Sequence, residues 1–144
     1  MRYGGGAFIK KLLGHLPVAV IGGLLYMGVE LLWRGHTHWT MGVLGGVCFA
    51  LIGLLNEWWP DDPIWLQMLQ GAVIVTALEF AAGLLLNIRL GLHIWDYSDM
   101  PGNVLGQICP QFAFAWVGLS WIAVRLEDLL HAAFKGVRNR LEER

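Results

Sequence analysis

A single glutamate inside an apolar segment, Glu79, is the residue of this chain best suited to chemistry. It lies in the run from Leu78 to Gly83, whose other members are apolar or small. A charged carboxylate in hydrocarbon is costly, so such groups usually face a cavity, a protein partner or a bound ion. Thr76 and Gly83 fall on the same helical stripe as Glu79, which predicts a small and polar face around the carboxylate.

Glu30 has a similar setting in the first apolar segment, with Tyr26 one turn before it. If the two helix faces meet, both carboxyl groups and the phenol share one cavity near the outer surface, and they favour a shared proton or a bound cation. The alternative is structural. Glu30 then pairs with Arg34, Glu79 pairs with Arg89, and both acids only brace the loops.

The run Trp95-Asp96-Tyr97-Ser98 is the most distinctive polar stretch. Asp96 and Ser98 are residue types that bond to the local backbone in turns. We interpret the run as a lid whose Asp96 and Tyr97 close over the carboxylate site, with a loop plugged by its own aromatic rings as the alternative. Gln107 adds hydrogen-bonding groups that either line the site or bond between helices.

Histidines offer a weaker metal signal. His36, His38 and His93 follow the two glutamate segments, and zinc takes four nitrogen, oxygen or sulfur ligands. No HExxH or cysteine-pair spacing is present, so the metal stays unassigned, and histidines in polar turns are the alternative. His15 and His131 suggest nothing specific from their positions.

Composition places the chain in a membrane. Of its 144 residues, 56% are hydrophobic and only 15% are charged, against about 25% charged in soluble domains, and the mean hydropathy is +0.55. The net charge of -1 and the lack of a basic stripe exclude a nucleic-acid partner. Cys48 and Cys109 lie in apolar segments and are interpreted as packing residues. The lipid bilayer is therefore the predicted partner.

Four apolar segments approach the length of about 20 residues that a membrane helix needs. They cover residues 17–33, 40–55, 64–86 and 103–124, the last with a kink at Pro110. The predicted fold is all-α: a polytopic membrane protein with four transmembrane helices in a domain over residues 1–124.

After Val124 the pattern changes, because apolar residues recur at helical spacing among charges. Residues 125–144 are predicted to form an amphipathic helix on the inner membrane surface, with packing against a partner or a second copy as the alternative. The helical stripe consists of Leu126, Leu129, Leu130, Ala133, Phe134, Val137 and Leu141.

Four spans put both termini on one side, and the Lys and Arg residues near both ends make that side cytoplasmic. Tryptophans at the span ends agree with this topology. Trp33, Trp39 and Trp95 are predicted at the outer interface, and Trp58, Trp59 and Trp65 at the inner one.

The two halves resemble each other. Each glutamate is followed by an arginine, a glycine and a His/Trp pair, and each later segment carries Gly-Xaa-Xaa-Cys, at Gly45 to Cys48 and at Gly106 to Cys109. A two-span repeat is the hypothesis, and chance matching is the alternative.

Several motifs taken together carry a family resemblance. They are Tyr26 to Glu30, Arg34-Gly35, Thr37 to Met41, Glu79-Phe80, Gly83, Trp95 to Ser98, Asn103, Gly106, Ile108-Cys109 and Trp116. Through them, residues 16–124 resemble the ABC-transporter (CmpB-type) family of small bacterial integral membrane proteins. The resemblance implies a multi-pass protein of several helices in the bacterial inner membrane. It supplies no substrate and no catalytic residues, and the 144 residues contain no G-x-x-x-x-G-K-[ST] nucleotide motif.

The predicted function is binding or translocation of a small solute or ion near the outer half of the bilayer. Because four spans enclose little cavity, a homo-oligomer is expected. No cofactor is predicted, and an enzyme is not favoured. The alternatives are a scaffold or accessory subunit with a membrane partner, and a small enzyme acting on lipid. The predicted binding residues are Tyr26, Glu30, Arg34, Glu79, Arg89, His93, Asp96, Tyr97, Ser98 and Gln107.

Overall fold

A computed structural model describes residues 5–143. The two outermost predicted domain limits, residues 1 and 144, lie outside this range. Within it the chain is 78% helical and has no strand. The helices are α1 (Gly5–Gly14), α2 (Leu16–Arg34), α3 (Trp39–Trp58), α4 (Ile64–Gly83), a π-helical segment (Leu84–Arg89) that continues α4, and α5 (Pro110–Glu142).

Three helices are long and apolar enough to cross a membrane: Leu16–Arg34, Trp39–Trp58 and Ile64–Arg89. The prediction of four such helices is wrong, and the error lies in the fourth segment. Residues 103–109 are not helical, since Leu105 and Gly106 both adopt positive φ angles and helix α5 starts only at Pro110, where the missing N–H does no harm. Charged residues then enter at Arg125, which leaves α5 a short apolar stretch.

Helix α5 passes through Val124 without a break and ends at Glu142. The predicted amphipathic tail is therefore the second half of one long helix. Its first half packs along α4, and its second half reaches the α1–α2 junction.

Glycines let α2 and α3 approach closely. A Cβ at Gly46 would lie 2.8 Å from the carbonyl oxygen of Ala19, and a Cβ at Gly23 would clash with the carbonyl oxygen of Gly42. Close backbone contact of this kind is how membrane helices associate without a hydrophobic driving force. The glycine face of α3, which carries Gly42 and Gly46, is therefore used within the chain.

The bundle has two ends, which we name by their residues. The cap end holds residues 35–38 and 90–109, and the tail end holds α1, residues 59–63 and the second half of α5. Trp33 and Trp39 are exposed at the cap end, and Trp58, Trp59 and Trp65 at the tail end.

Trp95 breaks this pattern, because it is buried and donates from Nε1 to the carbonyl oxygen of Gln107 at 3.0 Å. Its predicted interfacial position is wrong. Elsewhere, large apolar side chains such as Leu24, Leu32 and Val73 cover the outer faces of the long helices. Together with the three apolar helices, these faces are those of an integral membrane protein.

Candidate functional site

Glu79 is buried among the helices near the cap end, and only 4% of the residue is exposed. Tyr97 donates its hydroxyl to Oε1 at 2.8 Å, and Trp116 donates its indole Nε1–H to Oε2 at 3.0 Å. Among residues 5–143, no Lys, Arg or His nitrogen lies within 4.0 Å of this carboxylate. Two neutral donors, and no cation, therefore hold a buried acid.

A cavity of about 150 Å³ adjoins Glu79. Its wall is mostly apolar and comes from α2, α3, α4 and α5, including Leu25, Leu44, Phe49, Val75, Leu119 and Ala123. An apolar cavity of this volume admits a benzene-sized molecule. Leu25 and Leu119 belong to the wall and are also 48% and 40% exposed, so the cavity opens sideways between α2 and α5.

Tyr26 lines the same cavity, as predicted from its stripe on α2. Its ring centre lies 6.1 Å from that of Trp116, and the missing side chain of Gly45 makes room for it, since a Cβ there would lie 2.8 Å from the Cβ of Tyr26. The Tyr26 hydroxyl makes no hydrogen bond to another residue in the described range. It is a polar group available to a ligand.

Glu30 is buried, at 7% exposed, but does not line the cavity. It forms an ion pair with Arg34 and accepts a hydrogen bond from Thr37 Oγ1 at 2.6 Å. Arg34 also donates to the carbonyl oxygen of Ile94 at 3.3 Å. The structural alternative thus describes the contacts of Glu30. It does not describe those of Glu79, since Arg89 is exposed and lies beyond salt-bridge distance.

The loop that carries Tyr97 is fastened by Asn87, a buried residue of the π-helical segment. Its amide nitrogen donates to Oε1 of Gln107 at 2.8 Å and to the carbonyl oxygen of Trp95 at 3.0 Å, while its oxygen accepts from the backbone of Ile94 at 2.7 Å. Gln107, predicted as a binding residue, is buried in this network and does not line the cavity.

Of the polar run that begins at Trp95, only Tyr97 reaches Glu79. Asp96 accepts hydrogen bonds from the backbone and hydroxyl of Ser98, and these bonds hold the pKa of Asp96 below its usual range. Both residues are exposed and shape the turn against Gly106. The ring of Tyr97 stacks on Phe112 with 4.7 Å between ring centres, and burial, with the nearby charge of Glu79, raises the pKa of the Tyr97 hydroxyl.

The three cap-end histidines have separate local roles. His36 Nδ1 bonds to the carbonyl oxygen of Arg34 at 3.0 Å, His38 caps α3 through Thr40, and His93 adopts a positive φ angle. Within residues 5–143, the one group of three potential metal ligands is at the tail end and consists of His15, Glu127 and His131.

The sequence did not predict the roles of three residues at these sites. Trp116 is the second donor to Glu79, Asn87 holds the loop, and Glu127 is buried at the tail end. Trp116 offered one signal, an indole donor within an apolar segment. The other two depend on contacts between elements that are distant in sequence.

The comparisons with known proteins agree with the resemblance in the sequence. A family model described as "Putative ABC-transporter type IV" matches residues 6–143. No curated protein and no solved structure matches the chain. Because the match spans nearly the whole chain, the protein belongs to this transporter-type family of membrane proteins.

Proposed function

We propose that this protein is the membrane-embedded binding component of a transporter, which takes a small amphipathic cation into the cavity beside Glu79. One observation carries the proposal: a buried carboxylate, with no cationic partner among residues 5–143, forms part of the wall of an apolar cavity. The family to which the chain belongs supports a transport role.

The hydrogen bonds of Glu79 leave room for a ligand. A carboxylate has about four acceptor positions on its two oxygens, and Tyr97 and Trp116 use one on each oxygen. Neutral donors offset only part of the cost of a charge in low dielectric. A ligand ammonium group would supply the missing charge, and its apolar body would fill the benzene-sized space.

The access route follows from the packing. The loop of residues 90–109 closes the cap end through Tyr97, and Asn87 fastens that loop to the π-helical segment. The gap between α2 and α5 faces the hydrocarbon in the proposed arrangement, so the ligand enters from the bilayer. Since the 144 residues contain no Walker A motif, energy coupling is assigned to a partner subunit.

The orientation of the bundle in the membrane is a further part of the proposal. The cap end is placed outward and the tail end at the cytoplasm, from the excess of Lys and Arg near the tail end. A homo-oligomer stays a prediction, but the glycine face of α3 is not available to it, because that face packs on α2.

The test compares wild type with Glu79→Gln in lipid nanodiscs, with empty nanodiscs as the reference for partitioning. The probes are 4-fluorobenzylammonium and its neutral counterpart 4-fluorobenzyl alcohol, followed by ¹⁹F NMR. We expect Glu79→Gln to weaken binding of the ammonium probe by about 10- to 100-fold, the value of a hydrogen bond to a charged group. Binding of the alcohol should change much less.

Glu30→Gln is the matched control, because Glu30 is also a buried glutamate of the cap end but does not line the cavity. It should leave both affinities unchanged. Equal loss of both probes in Glu79→Gln, or no saturable binding in wild type, would contradict the proposal.

A scaffold role is the second candidate, and a specific observation favours it. The two hydrogen bonds of Glu79 join α4 to the cap-end loop and to α5. If wild type binds neither probe and Glu79→Gln lowers the melting temperature by several degrees, Glu79 is a structural residue and the scaffold is the better conclusion.

A further inference from the structure

Two histidines and two glutamates converge at the tail end from three parts of the chain. His15 connects α1 to α2, Glu57 is at the end of α3, and Glu127 and His131 are one turn apart on α5. Nε2 of His15 lies 3.3 Å from Oε1 of Glu57 and 3.9 Å from Oε1 of Glu127. Nε2 of His131 lies 3.7 Å from the same Glu57 oxygen, and its Nδ1 contacts Glu127.

From this geometry we propose that His15, Glu127 and His131, whose potential ligand atoms all lie within 4.8 Å of one another, bind a divalent transition-metal ion together with Glu57, with Zn²⁺ as the best match. Zinc bound at about 2.0–2.1 Å by four tetrahedral ligands sets those ligands about 3.3–3.5 Å apart. The nitrogen–oxygen separations measured from Nε2 of the two histidines are 3.3, 3.7 and 3.9 Å, equal to or slightly longer than that range. Nδ1 of His131 lies closer to Glu127 than two ligands of one zinc ion would, so the proposed ligand atom of His131 is Nε2. The site is independent of the Glu79 cavity at the other end of the bundle.

The hydrogen bonding of His15 points to a cation. Its Nδ1 lies 2.9 Å from the carbonyl oxygen of Lys11, and because a carbonyl can only accept, Nδ1 carries the proton. If the ring is neutral, its Nε2 presents a lone pair to the glutamate oxygens, and a metal ion between them would remove the repulsion. Metal-binding histidines commonly have this second hydrogen bond to a backbone carbonyl, which fixes the tautomer.

Burial gives the independent support. The side chains of His15 and Glu127 are 3% and 4% exposed. His15 Nε2 and Glu127 Oε1 are both buried and form no hydrogen bond among the described residues, although Glu127 Oε1 contacts Nδ1 of His131. Buried polar atoms of this kind are costly unless something satisfies them. A metal ion satisfies both atoms together.

The surroundings also agree with a metal. Gly53 leaves space for the acid, since a Cβ there would lie 2.8 Å from Oε1 of Glu127. The two carboxylates of Glu57 and Glu127 carry two negative charges, which a divalent ion would balance. Lys11 is the competing cation, but its Nζ is 3.8 Å from Oε2 of Glu57, the oxygen that faces away from the histidines. A bound ion would fasten α1 and α2 to the long helix α5.

The test uses the full chain with a histidine-free purification tag, stripped with chelator and titrated with Zn²⁺ against a fluorescent zinc indicator. We expect one equivalent per chain. His131→Gln is the main variant, because His131 is 40% exposed and its replacement should be tolerated. The affinity for Zn²⁺ should fall by at least ~100-fold. Loss of a residue that only supports a metal ligand already costs up to about 100-fold, and loss of a ligand should cost no less.

His36→Gln is the matched control, since His36 is a histidine of the opposite end, and it should bind Zn²⁺ like wild type. Cobalt in place of zinc should give the strong visible absorption of a tetrahedral site, absent from His131→Gln. Binding that is unchanged in His131→Gln, equally lost in His36→Gln, or missing from wild type overturns the proposal.

Discussion

Glu30 and Glu79 have matching sequence surroundings, and the protein satisfies them in different ways. Both are buried at the cap end, but Glu30 is neutralised by Arg34 one turn later on the same helix. Arg89 follows Glu79 only at the end of the π-helical segment and is exposed. Spacing along one helix therefore provides a counterion for the first acid, whereas the second depends on neutral donors from distant elements.

The difference separates a structural acid from a candidate binding acid. Glu30 has a cation and a hydroxyl donor, and through Arg34 it holds the loop at Ile94. Glu79 has hydrogen bonds but no charge partner in the part of the chain that the structure describes, and it borders a cavity. A buried acid without a charge partner is where a cationic ligand gains most.

Removing the Asn87 hydrogen bonds, which hold the loop that carries Tyr97 to Glu79, should have the largest effect on stability. Asn87→Ala deletes three hydrogen bonds, two of them buried and one partly buried, and leaves Ile94, Trp95 and Gln107 with unsatisfied polar atoms. At about 1 kcal/mol for each bond, the free energy of unfolding should fall by roughly 3 kcal/mol. Titration with SDS from mixed micelles measures it. The control is Asn139→Ala, since Asn139 is exposed. An equal loss of stability in this control would mean that the Asn87 hydrogen bonds do not stabilise the fold.

The two acids themselves should respond unequally. Glu30→Gln leaves Arg34 without its partner in a partly buried position, and we expect a loss of about 1–2 kcal/mol in the free energy of unfolding. Glu79→Gln leaves no cation without its partner, and the glutamine oxygen still accepts a hydrogen bond from Tyr97 or Trp116. The free energy of unfolding should therefore fall by less than about 1 kcal/mol. The same SDS titration ranks them. The reverse order would mean that Glu79 is the structural acid.

The hydrogen bond from Tyr97 should be worth about 0.5–1.5 kcal/mol, measured as the stability difference between wild type and Tyr97→Phe. The folded-state pKa of Tyr97 lies above its ordinary value of about 10. A raised pKa means that this contribution is complete below pH ~10 and is lost as the pH rises further. A difference that grows between pH 9 and 11 would contradict the contact.

Asp96 should have the smallest effect, because it is exposed and bonds only within its own turn. Asp96→Ala should speed hydrogen exchange at the Ser98 amide and leave binding at Glu79 unchanged. Since the pKa of Asp96 is lowered in the fold, the turn should also loosen as the pH falls through that value. If Asp96→Ala weakens binding of the ammonium probe, the lid includes Asp96 after all.

Much of the fold could be predicted from hydropathy. The segments at 17–33, 40–55 and 64–86 correspond to Leu16–Arg34, Trp39–Trp58 and Ile64–Arg89, because long apolar runs between charged turns leave few alternatives. The segment at 103–124 failed for a local reason. Two positive φ angles before Pro110 produce a turn, which hydropathy does not register.

The repeat hypothesis is limited by the same local structure. Gly45 to Cys48 is helical, whereas Gly106 to Cys109 lies in the irregular loop before α5. The matching letters therefore do not produce matching conformations in the later segments of the two halves.

The sequence alone determined which segments are apolar, that Glu79 is an acid within one of them, and that Glu30 has an arginine one turn away. These properties depend on composition and on spacing within one helix. Only the tertiary structure decided that Trp116, 37 residues from Glu79, is its second donor, and that His15 meets Glu127 at the opposite end. Contacts between helices depend on how each helix is rotated and how it crosses its neighbours. In a membrane protein, apolar side chains can face either the lipid or another helix, so the apolar pattern of the sequence does not fix that rotation.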